Sequence, residues 1–524
     1  MIKKPLLVSL AAAALLTGAN VQAASMFDRM TEMETEMKAL QAELAEVKAA
    51  KTVAVEADDE APEDDEAEDA EEEAEEAEES DDEEGEDDEE DEDDEESFEE
   101  ETEEQLTELN KRTSGNHLKF GVDFRTAVDN LQYTMADGSK QENSAIFTNR
   151  LWLNMNWAAT SNLSFTGQLA YNKTYGQRSG AEGAAYETFD WITNENAYDD
   201  TIRVRSAYFF YRNDTFLGTE IPWTFSVGRR PSTNGHLVNM RDDDTAASPM
   251  GHAINVEFDG ASAKFTLWED IGMYAKLCGG RGMTNAAPRF NTAPYATVEP
   301  ANENIDLVGF IFVPYDDGQY SIGTQYYYAN NLIDAVNPMD PSQGMKTVGG
   351  LQSFTGNIVV SGIGDEWSDF LDDTTIFVSG AVSITDPNDT GGGMLGATES
   401  ARGWSGWVGM QFPSLISEEG RWGLEYNKGT KYWRAMTYGE DTLIGSKLAA
   451  RGDAYEAYFT EPLIDDMFSL QIRYTYIDYK YAGSNGFFGS TTGDSTLLTD
   501  LPTGYGAFYV DKAQDIRAYL RYRY

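Results

Sequence analysis

The last ten residues of the chain constrain its fold more than any other stretch. Residues 515–524 read D-I-R-A-Y-L-R-Y-R-Y. Successive side chains of a β-strand point to opposite faces, so Ile516 and Tyr524 share one face while Arg517 and Arg521 share the other. One face suits lipid and the other suits water. We therefore expect the preceding chain to complete a sheet with these same two faces.

The N-terminus predicts export. Residues 1–23 combine Lys3 and Lys4, an apolar stretch at 6–16 and the small-residue site V-Q-A at 21–23, which together are typical of a signal peptide. No later run of about 18 apolar residues occurs, which excludes a helical membrane protein. If the exported chain enters a membrane, it must do so as a closed β-barrel, because only helices and closed barrels satisfy their backbone hydrogen bonds in lipid.

Residues 24–50 predict a periplasmic coiled coil. Their apolar side chains recur at alternating spacings of four and three, which is the period of a three-heptad coiled coil. The pairing of charges between helices favours a parallel homo-oligomer, and a single amphipathic helix is the alternative. The repeating residues are Met26, Met30, Met33, Met37, Leu40, Leu44 and Val47.

Residues 51–105 predict a disordered linker. Acidic residues fill 36 of the 47 positions from 58 to 104, where no basic residue occurs, so the segment repels itself and cannot bury a core. It is either a solvated spacer or a low-affinity store of divalent cations, and it could also contact the cell wall. The acidic balance, a net charge of −55, argues against nucleic acid as a partner.

Residues 106–524 predict an all-β transmembrane barrel of about 16 antiparallel strands, within a range of 14–18. Apolar and polar residues alternate in short segments, separated by long stretches rich in Gly, Asn and Asp. The predicted strands lie near 118–124, 147–157, 163–171, 202–212, 222–230, 252–259, 261–269, 305–314, 319–329, 353–362, 374–384, 402–412, 420–428, 453–460, 467–479 and 513–524.

A soluble β-propeller or sandwich is the alternative for so many short strands. The distribution of aromatic residues favours the membrane barrel, because Tyr326–Tyr328, Tyr208–Tyr211, Trp404 and Trp407 stand near predicted strand ends. Aromatic residues at both ends of the strands form the girdles of transmembrane barrels.

No motif predicts catalysis, a metal site or a cofactor. The three histidines lack metal-ligand spacing, the one cysteine cannot form an internal disulfide, and no nucleotide-binding or nucleophile motif is present. We predict that the chain is not an enzyme.

Charged residues on the water-facing sides of the predicted strands would line the barrel interior. Rings of such charges set ion selectivity, and a slight basic excess favours a weak anion preference. The pore-lining candidates are Arg125, Arg150, Arg203, Arg205, Arg473, Arg517, Arg521 and Arg523, accompanied by Lys119 and Lys264. The opposing acids are Asp123, Glu257, Asp306, Glu425, Glu456 and Asp515. The alternative is that these charges only solvate the lumen.

The stretch 228–244 predicts a constriction loop. It carries mixed charge within a Gly- and Pro-containing segment, and an inward-folded loop would need such charge to bind the barrel wall through ion pairs. A plain surface loop is the alternative. The candidates are Arg229, Arg230, Arg241, Asp242, Asp243 and Asp244.

With F-R-T-A-V-D-N-L-Q-Y at 124–133, T-N-R-L-W-L-N at 148–154 and G-R-R-P-S-T-N-G at 228–235, the chain resembles an uncharacterised family of porin-like outer-membrane proteins of Gram-negative bacteria. The acidic block lies outside the resemblance. The C-terminal strand also resembles the terminal strand by which the barrel-insertion machinery recognises outer-membrane barrels. Porins with a periplasmic coiled coil are commonly trimers, so the resemblance implies a homotrimer in outer-membrane lipid.

Two functions follow as hypotheses. The first is an outer-membrane porin that lets small polar solutes or ions diffuse through a water-filled barrel. The second is a structural or interaction protein, whose barrel anchors the coiled coil and the acidic tether or sheathes an electron-transfer partner. A mere anchor needs only about eight strands, which favours the porin.

Overall fold

The computed structural model describes residues 118–175, 202–232, 235–245, 247–284, 304–336, 345–364, 367–388, 393–437, 440–486 and 495–524. The predicted signal peptide, coiled coil and acidic linker lie outside these residues. No helix within the described ranges is long and apolar enough to cross a membrane.

The described chain is almost entirely strand. Long alternating segments run up and down, joined at one end by short turns and at the other by mostly longer connections. The strands are β1 (Lys119–Met135), β2 (Lys140–Ala158), β3 (Leu163–Thr174), β4 (Arg203–Asn213), β5 (Trp223–Ser232), β6 (Ile254–Trp268), β7 (Met273–Met283), β8 (Ile305–Asp316), β9 (Tyr320–Ala335), β10 (Met345–Ser361), β11 (Thr375–Pro387), β12 (Arg402–Pro413), β13 (Arg421–Gly429), β14 (Met436–Thr437), β15 (Gly452–Ile464), β16 (Phe468–Tyr479) and β17 (Val510–Arg523). Two short helices accompany them, α1 (Val238–Asp242) and α2 (Asp369–Asp372).

The sheet closes on itself. Among the described strands, all except β14 pair antiparallel with their neighbours in sequence, with β13 pairing directly to β15. The ring closes where β1 pairs antiparallel with β17, from Asp123 opposite Arg523 to Met135 opposite Val510. The result is a closed barrel of 16 strands, which confirms the predicted strand number and leaves β14 as a short element inside it.

Two of the predicted strands are wrong in detail. The segments near 252–259 and 261–269 form one strand, β6, and the sequence analysis missed β7. Glycines explain both errors, because Gly260 and Gly280 interrupt the alternation where β6 and β7 approach closely. A Cβ atom on Gly280 would lie 2.3 Å from the Phe258 ring, and one on Gly260 would lie 2.3 Å from the Gly279 carbonyl oxygen.

The barrel has an apolar outer face and a polar inner face. Along β17, Ile516 and Tyr522 are exposed on the outside while Arg517 and Arg521 are buried inside. The same alternation continues around the wall, as a transmembrane barrel requires. Outward apolar side chains elsewhere include Phe124, Val308, Phe354, Ile358, Val378, Val408, Leu424 and Ile472.

The predicted aromatic girdle is wrong for two of its members. Trp404 is exposed on the outer face, but Trp407 and Tyr327 point into the barrel and are buried. Trp407 packs edge-on against Phe377, with ring centroids 4.8 Å apart, and its indole N–H donates to Glu425 Oε2 at 2.9 Å. The interior is therefore partly filled with aromatic side chains rather than lined only by small polar ones.

Two connections fold into the barrel. The first inner loop comprises residues 235–245 and 247–253 between β5 and β6 and carries α1; the second inner loop comprises residues 430–437 and 440–451 between β13 and β15 and carries β14. Leu237 and Val238 of the first pack with Leu448 of the second. In addition, β14 pairs in parallel with the start of β6. The two loops thus pack together inside the wall.

A histidine anchors the first inner loop to the wall. His252 is fully buried, and its ring nitrogens lie 2.8 Å from Ser379 Oγ and 2.9 Å from Ser405 Oγ, on β11 and β12. Burial lowers the pKa of His252 to about 3, so the ring is neutral at ordinary pH and donates one of these bonds while accepting the other. This placement favours a structural role.

Close packing inside the wall leaves no room for a side chain at position 423 of β13. A Cβ atom on Gly423 of β13 would lie 1.9 Å from Tyr458 Cζ, whereas one on Gly406 of β12 would meet nothing within 4 Å. We expect Gly423→Ala to lower the free energy of unfolding by roughly 1–3 kcal/mol, because an overpacked interior forces side chains to shift. Urea unfolding of refolded protein, followed by heat-dependent gel mobility, measures this. Gly406→Ala is the matched control, and equal stability of the two variants would contradict the argument.

Candidate functional site

The interior charges converge on Asp441 of the second inner loop. Arg125 of β1 donates hydrogen bonds to this carboxylate from both terminal nitrogens, and Nη2 lies 2.7 Å from Oδ1. Arg517 of β17 donates from Nη1 to the Asp441 carbonyl at 2.6 Å and to Oδ2 at 3.2 Å. Arg473 of β16 also donates to that carbonyl at 2.6 Å. One loop residue therefore joins three strands, including both sides of the closure.

The arginine partners of Asp441 stabilise its ionised form. Burial alone would raise the pKa of this carboxyl, but the adjacent guanidinium groups of Arg125 and Arg517 outweigh burial and hold the pKa well below its usual value. The carboxylate is therefore charged at neutral pH.

The acids of the first inner loop bind arginines of β17. Arg521 contacts Asp244 Oδ1 at 2.7 Å and donates to the Asp242 carbonyl at 2.7 Å, and it also pairs with Asp123 of β1 at 2.6 Å. Beside it, Arg523 donates to the Asp243 carbonyl at 2.7 Å. The structure thus brings three of the acidic constriction-loop candidates against the barrel wall.

Arg241 links the two inner loops to β15 of the barrel wall. It is fully buried, contacts Asp242 at 3.1 Å and Glu456 of β15 at 3.3 Å, and donates to the Glu440 carbonyl. Lys447 of the second inner loop pairs with the same Glu456 and lies 2.6 Å from Glu425 of β13. These charges are tolerated in the interior because each has a partner of opposite charge. A single unpaired buried charge would cost several kcal/mol of folding free energy.

A third group lies on β2, β4, β5 and β6. Arg150 and Arg205 both lie over the Trp152 ring system, with guanidinium carbons 3.6 Å and 4.2 Å from the ring centroid. Arg205 pairs with the buried Glu257 at 3.0 Å, and Arg229 reaches the same carboxylate at 3.1 Å. Stacking on an indole face stabilises a guanidinium without adding a carboxylate.

Several candidates lie in places that differ from expectation. Arg229 and Arg230 belong to β5 and not to a loop, because pairing with β6 continues as far as Ser232. Asp306 points outward and pairs with Arg281 at 2.7 Å on the outer face. Arg203 is only partly buried at the start of β4, where the β3–β4 register shifts. Asp306 therefore does not line the interior. The pore-lining role expected of Arg203 and the constriction role expected of Arg229 and Arg230 stay predictions.

The second inner loop was not predicted from the sequence. Residues 430–451 are only the interval between the predicted strands 420–428 and 453–460, although Asp441 and Lys447 there bind many of the interior charges. The overlooked feature is apolar composition, because Trp433, Met436 and Leu448 are large side chains that an exposed loop would not carry. All three are buried in the barrel.

Metal binding finds no support in this network. Within the described part of the chain, no group of three or more His, Cys, Asp or Glu residues is arranged to hold a metal ion.

Comparison with known families identifies the chain's relatives. Residues 140–524 match a family described as "Protein of unknown function (DUF3373)". The chain belongs to this family. The match covers most of the barrel and confirms the resemblance to an uncharacterised family of porin-like barrels. No curated protein matches the sequence.

Solved structures with a similar fold include outer-membrane porins. The chain is similar to the trimer form of OmpT, an outer membrane protein of Vibrio cholerae, with 12% identity, 78% of this chain and 99% of that chain covered, and a TM-score of 0.41. An anion-selective porin from Comamonas acidovorans has 9% identity, 78% and 99% coverage and a TM-score of 0.44. OprB of Pseudomonas putida, in its high-pH structure, has 10% identity, 79% and 96% coverage and a TM-score of 0.44.

The Asp441 contacts predict a strong dependence of stability on this carboxylate. We expect Asp441→Asn to lower the free energy of unfolding by about 3–5 kcal/mol, because the buried Arg125 loses its carboxylate partner and the buried Arg517 keeps only Asp129. Urea unfolding of the refolded barrel checks this. Asp453→Asn is the matched control, since Asp453 pairs with the exposed Lys428 and its loss should cost about 1 kcal/mol or less. If the two variants lost the same free energy of unfolding, Asp441 would contribute no more to stability than a half-exposed ion pair, and the argument would be refuted.

The same residue predicts a pH dependence. Because the pKa of Asp441 is lower in the folded state, its contribution to stability is complete above the unfolded value of about 3.9 and disappears as pH falls through the folded value. Wild-type stability should therefore drop below pH 4 more steeply than that of Asp441→Asn. Parallel curves from pH 6 to pH 2 would contradict this expectation.

Proposed function

We propose that the protein is an outer-membrane porin through which small polar solutes or ions diffuse passively. The observation that carries the proposal is the pairing of an apolar outer face with a charged interior in a closed barrel of 16 strands, a size that leaves room for an aqueous path. An apolar outer band requires lipid, and a charged interior requires water or paired charges.

The inner loops give this pore its constriction. Both loops belong to connections at the end of the barrel opposite the chain's C-terminus, and both fold inward to bind the wall through Asp244, Arg241 and Asp441. Solutes would pass between these loops and the remaining wall. Short turns face the periplasm in bacterial barrels, so the inner loops would descend from the cell surface.

Residues 24–105 complete the proposal. After removal of residues 1–23, the coiled coil at 24–50 would lie in the periplasm and assemble three copies, with 51–105 as an acidic linker between it and the barrel. The barrel-insertion machinery would recognise the C-terminal strand, whose outward aromatic residues end the chain at Tyr524.

Single-channel recording tests this function. We expect the refolded mature chain to show stepwise conductance in a planar lipid bilayer, with openings grouped in threes if the assembly is a trimer. Removal of residues 24–105 should leave conductance intact, because the path lies in the barrel, and should abolish the grouping if the heptads hold the trimer. A folded barrel that never conducts would refute the porin and favour an anchor.

A further inference from the structure

Three cationic side chains face the interior on neighbouring strands. Arg230 lies on β5, Lys264 on β6 and Lys276 on β7, with Lys264 directly opposite Lys276 in the strand register. Their neighbours on the outer face, such as Leu277, are exposed apolar residues. The three cations therefore form one patch on the inner wall.

This patch differs from the rest of the interior in its lack of ion pairs. Arg125, Arg241 and Arg517 each bind a carboxylate within 4.0 Å. Among the described ion pairs, none includes Arg230, Lys264 or Lys276. The Tyr208 ring lies 4.8 Å from Arg230 and the Tyr274 ring 4.2 Å from Lys264, and Asp316 acts electrostatically on Lys264 from a greater distance than an ion pair. Arg230 and Lys276 are thus the two cations of the patch that no described carboxylate compensates.

Hydroxyl groups surround two of these cations. Arg230 Nη1 donates to Ser226 Oγ and Ser262 Oγ, which lie 3.0 Å from each other. Lys276 Nζ donates to Ser248 Oγ of the first inner loop at 2.7 Å. A hydroxyl that accepts from a cation keeps its own proton available for another acceptor.

A small cavity lies between these groups. Its volume is about 20 Å³, and its lining includes Arg230, Lys276, Ser248 and Ser262. The buried Nε atom of Arg230 has no hydrogen-bond acceptor among the described residues. A space of this size holds about one water molecule or one small ion. With cations and hydroxyl donors around it, an anion is the favoured occupant.

The patch also remains accessible from the lumen. Arg230, Lys264 and Lys276 are only partly buried, whereas the paired Arg473 and Arg517 are almost completely covered. Uncompensated charge beside an aqueous path raises the local concentration of counter-ions. The paired charges elsewhere cancel each other and contribute little to selectivity.

We propose that Arg230 and Lys276, with the hydroxyl groups of Ser248 and Ser262, bind a small monovalent inorganic anion inside the barrel. Lys264 extends the cationic patch along the wall and guides anions to the site. The binding site stands on the interior geometry alone, while its effect on transport rests on the proposed porin function.

Anion selectivity tests the transport part of this proposal. We measure reversal potentials of the full mature chain in a planar bilayer under a KCl gradient, for wild type, Arg230→Gln and Lys276→Gln. Each substitution keeps hydrogen-bonding capacity and removes one charge, so the chloride-to-potassium permeability ratio should fall by about threefold or more. Lys480→Gln is the matched control, because Lys480 is half exposed beyond the end of β16 and pairs with Asp478. A ratio that changes no more in the interior variants than in this control would overturn the inference.

Bromide tests the site independently of transport. Crystals of the full mature chain soaked in sodium bromide should show an anomalous peak between Arg230 and Lys276, and the peak should be lost in Lys276→Gln. A barrel that does not conduct but keeps the bromide peak would reject the porin function and retain the site. Absence of the peak from wild type would reject the site, even if the barrel conducts.

Discussion

Closure of the sheet between β1 and β17 is the constraint on which the rest of the structure depends. In lipid, no water is present to bind an unpaired strand edge, so each edge must find a partner within the chain. The register from Asp123 opposite Arg523 to Met135 opposite Val510 supplies that partner. Because side chains alternate, this single register also fixes which residues of both strands face inward. It places Arg125, Asp129 and Arg517 on the inner face, where both arginines contact Asp441 and Asp129 pairs with Arg517.

Once the wall is closed, its interior must satisfy many buried charges. The two inner loops provide the partners, Asp441 for Arg125 and Arg517, Asp244 for Arg521, and Lys447 for Glu425 and Glu456. Removing one member would leave a buried charge whose cost exceeds that of most surface changes. Loops and wall therefore depend on each other, which explains why these long connections turn inward. The cationic patch of Arg230, Lys264 and Lys276 stands apart because none of its members forms an ion pair with a described carboxylate.

Much of the fold could be predicted from period-two alternation, and the failures have two causes. The barrel and its closure followed from alternation and from the final strand, whereas the count of 16 agreed because dividing β6 into two strands offset the missed β7. The predicted strands break at Gly260 and omit the glycine-rich β7, because alternation disappears where glycine replaces a side chain to permit close strand contact. Trp407 and Tyr327 were assigned to a girdle, although composition cannot tell an inward aromatic residue from an outward one near a strand end.

By itself, the sequence determined that this chain forms a barrel, because its apolar segments are too short for membrane helices and alternate with the period of a strand. It also determined which arginines of the last strand share a face. Only the tertiary structure decided what those arginines bind. Asp441 lies 316 residues from Arg125 and 76 from Arg517, so no local pattern connects them. Their contact exists only because closure places the first and last strands side by side, next to an inward-folded loop.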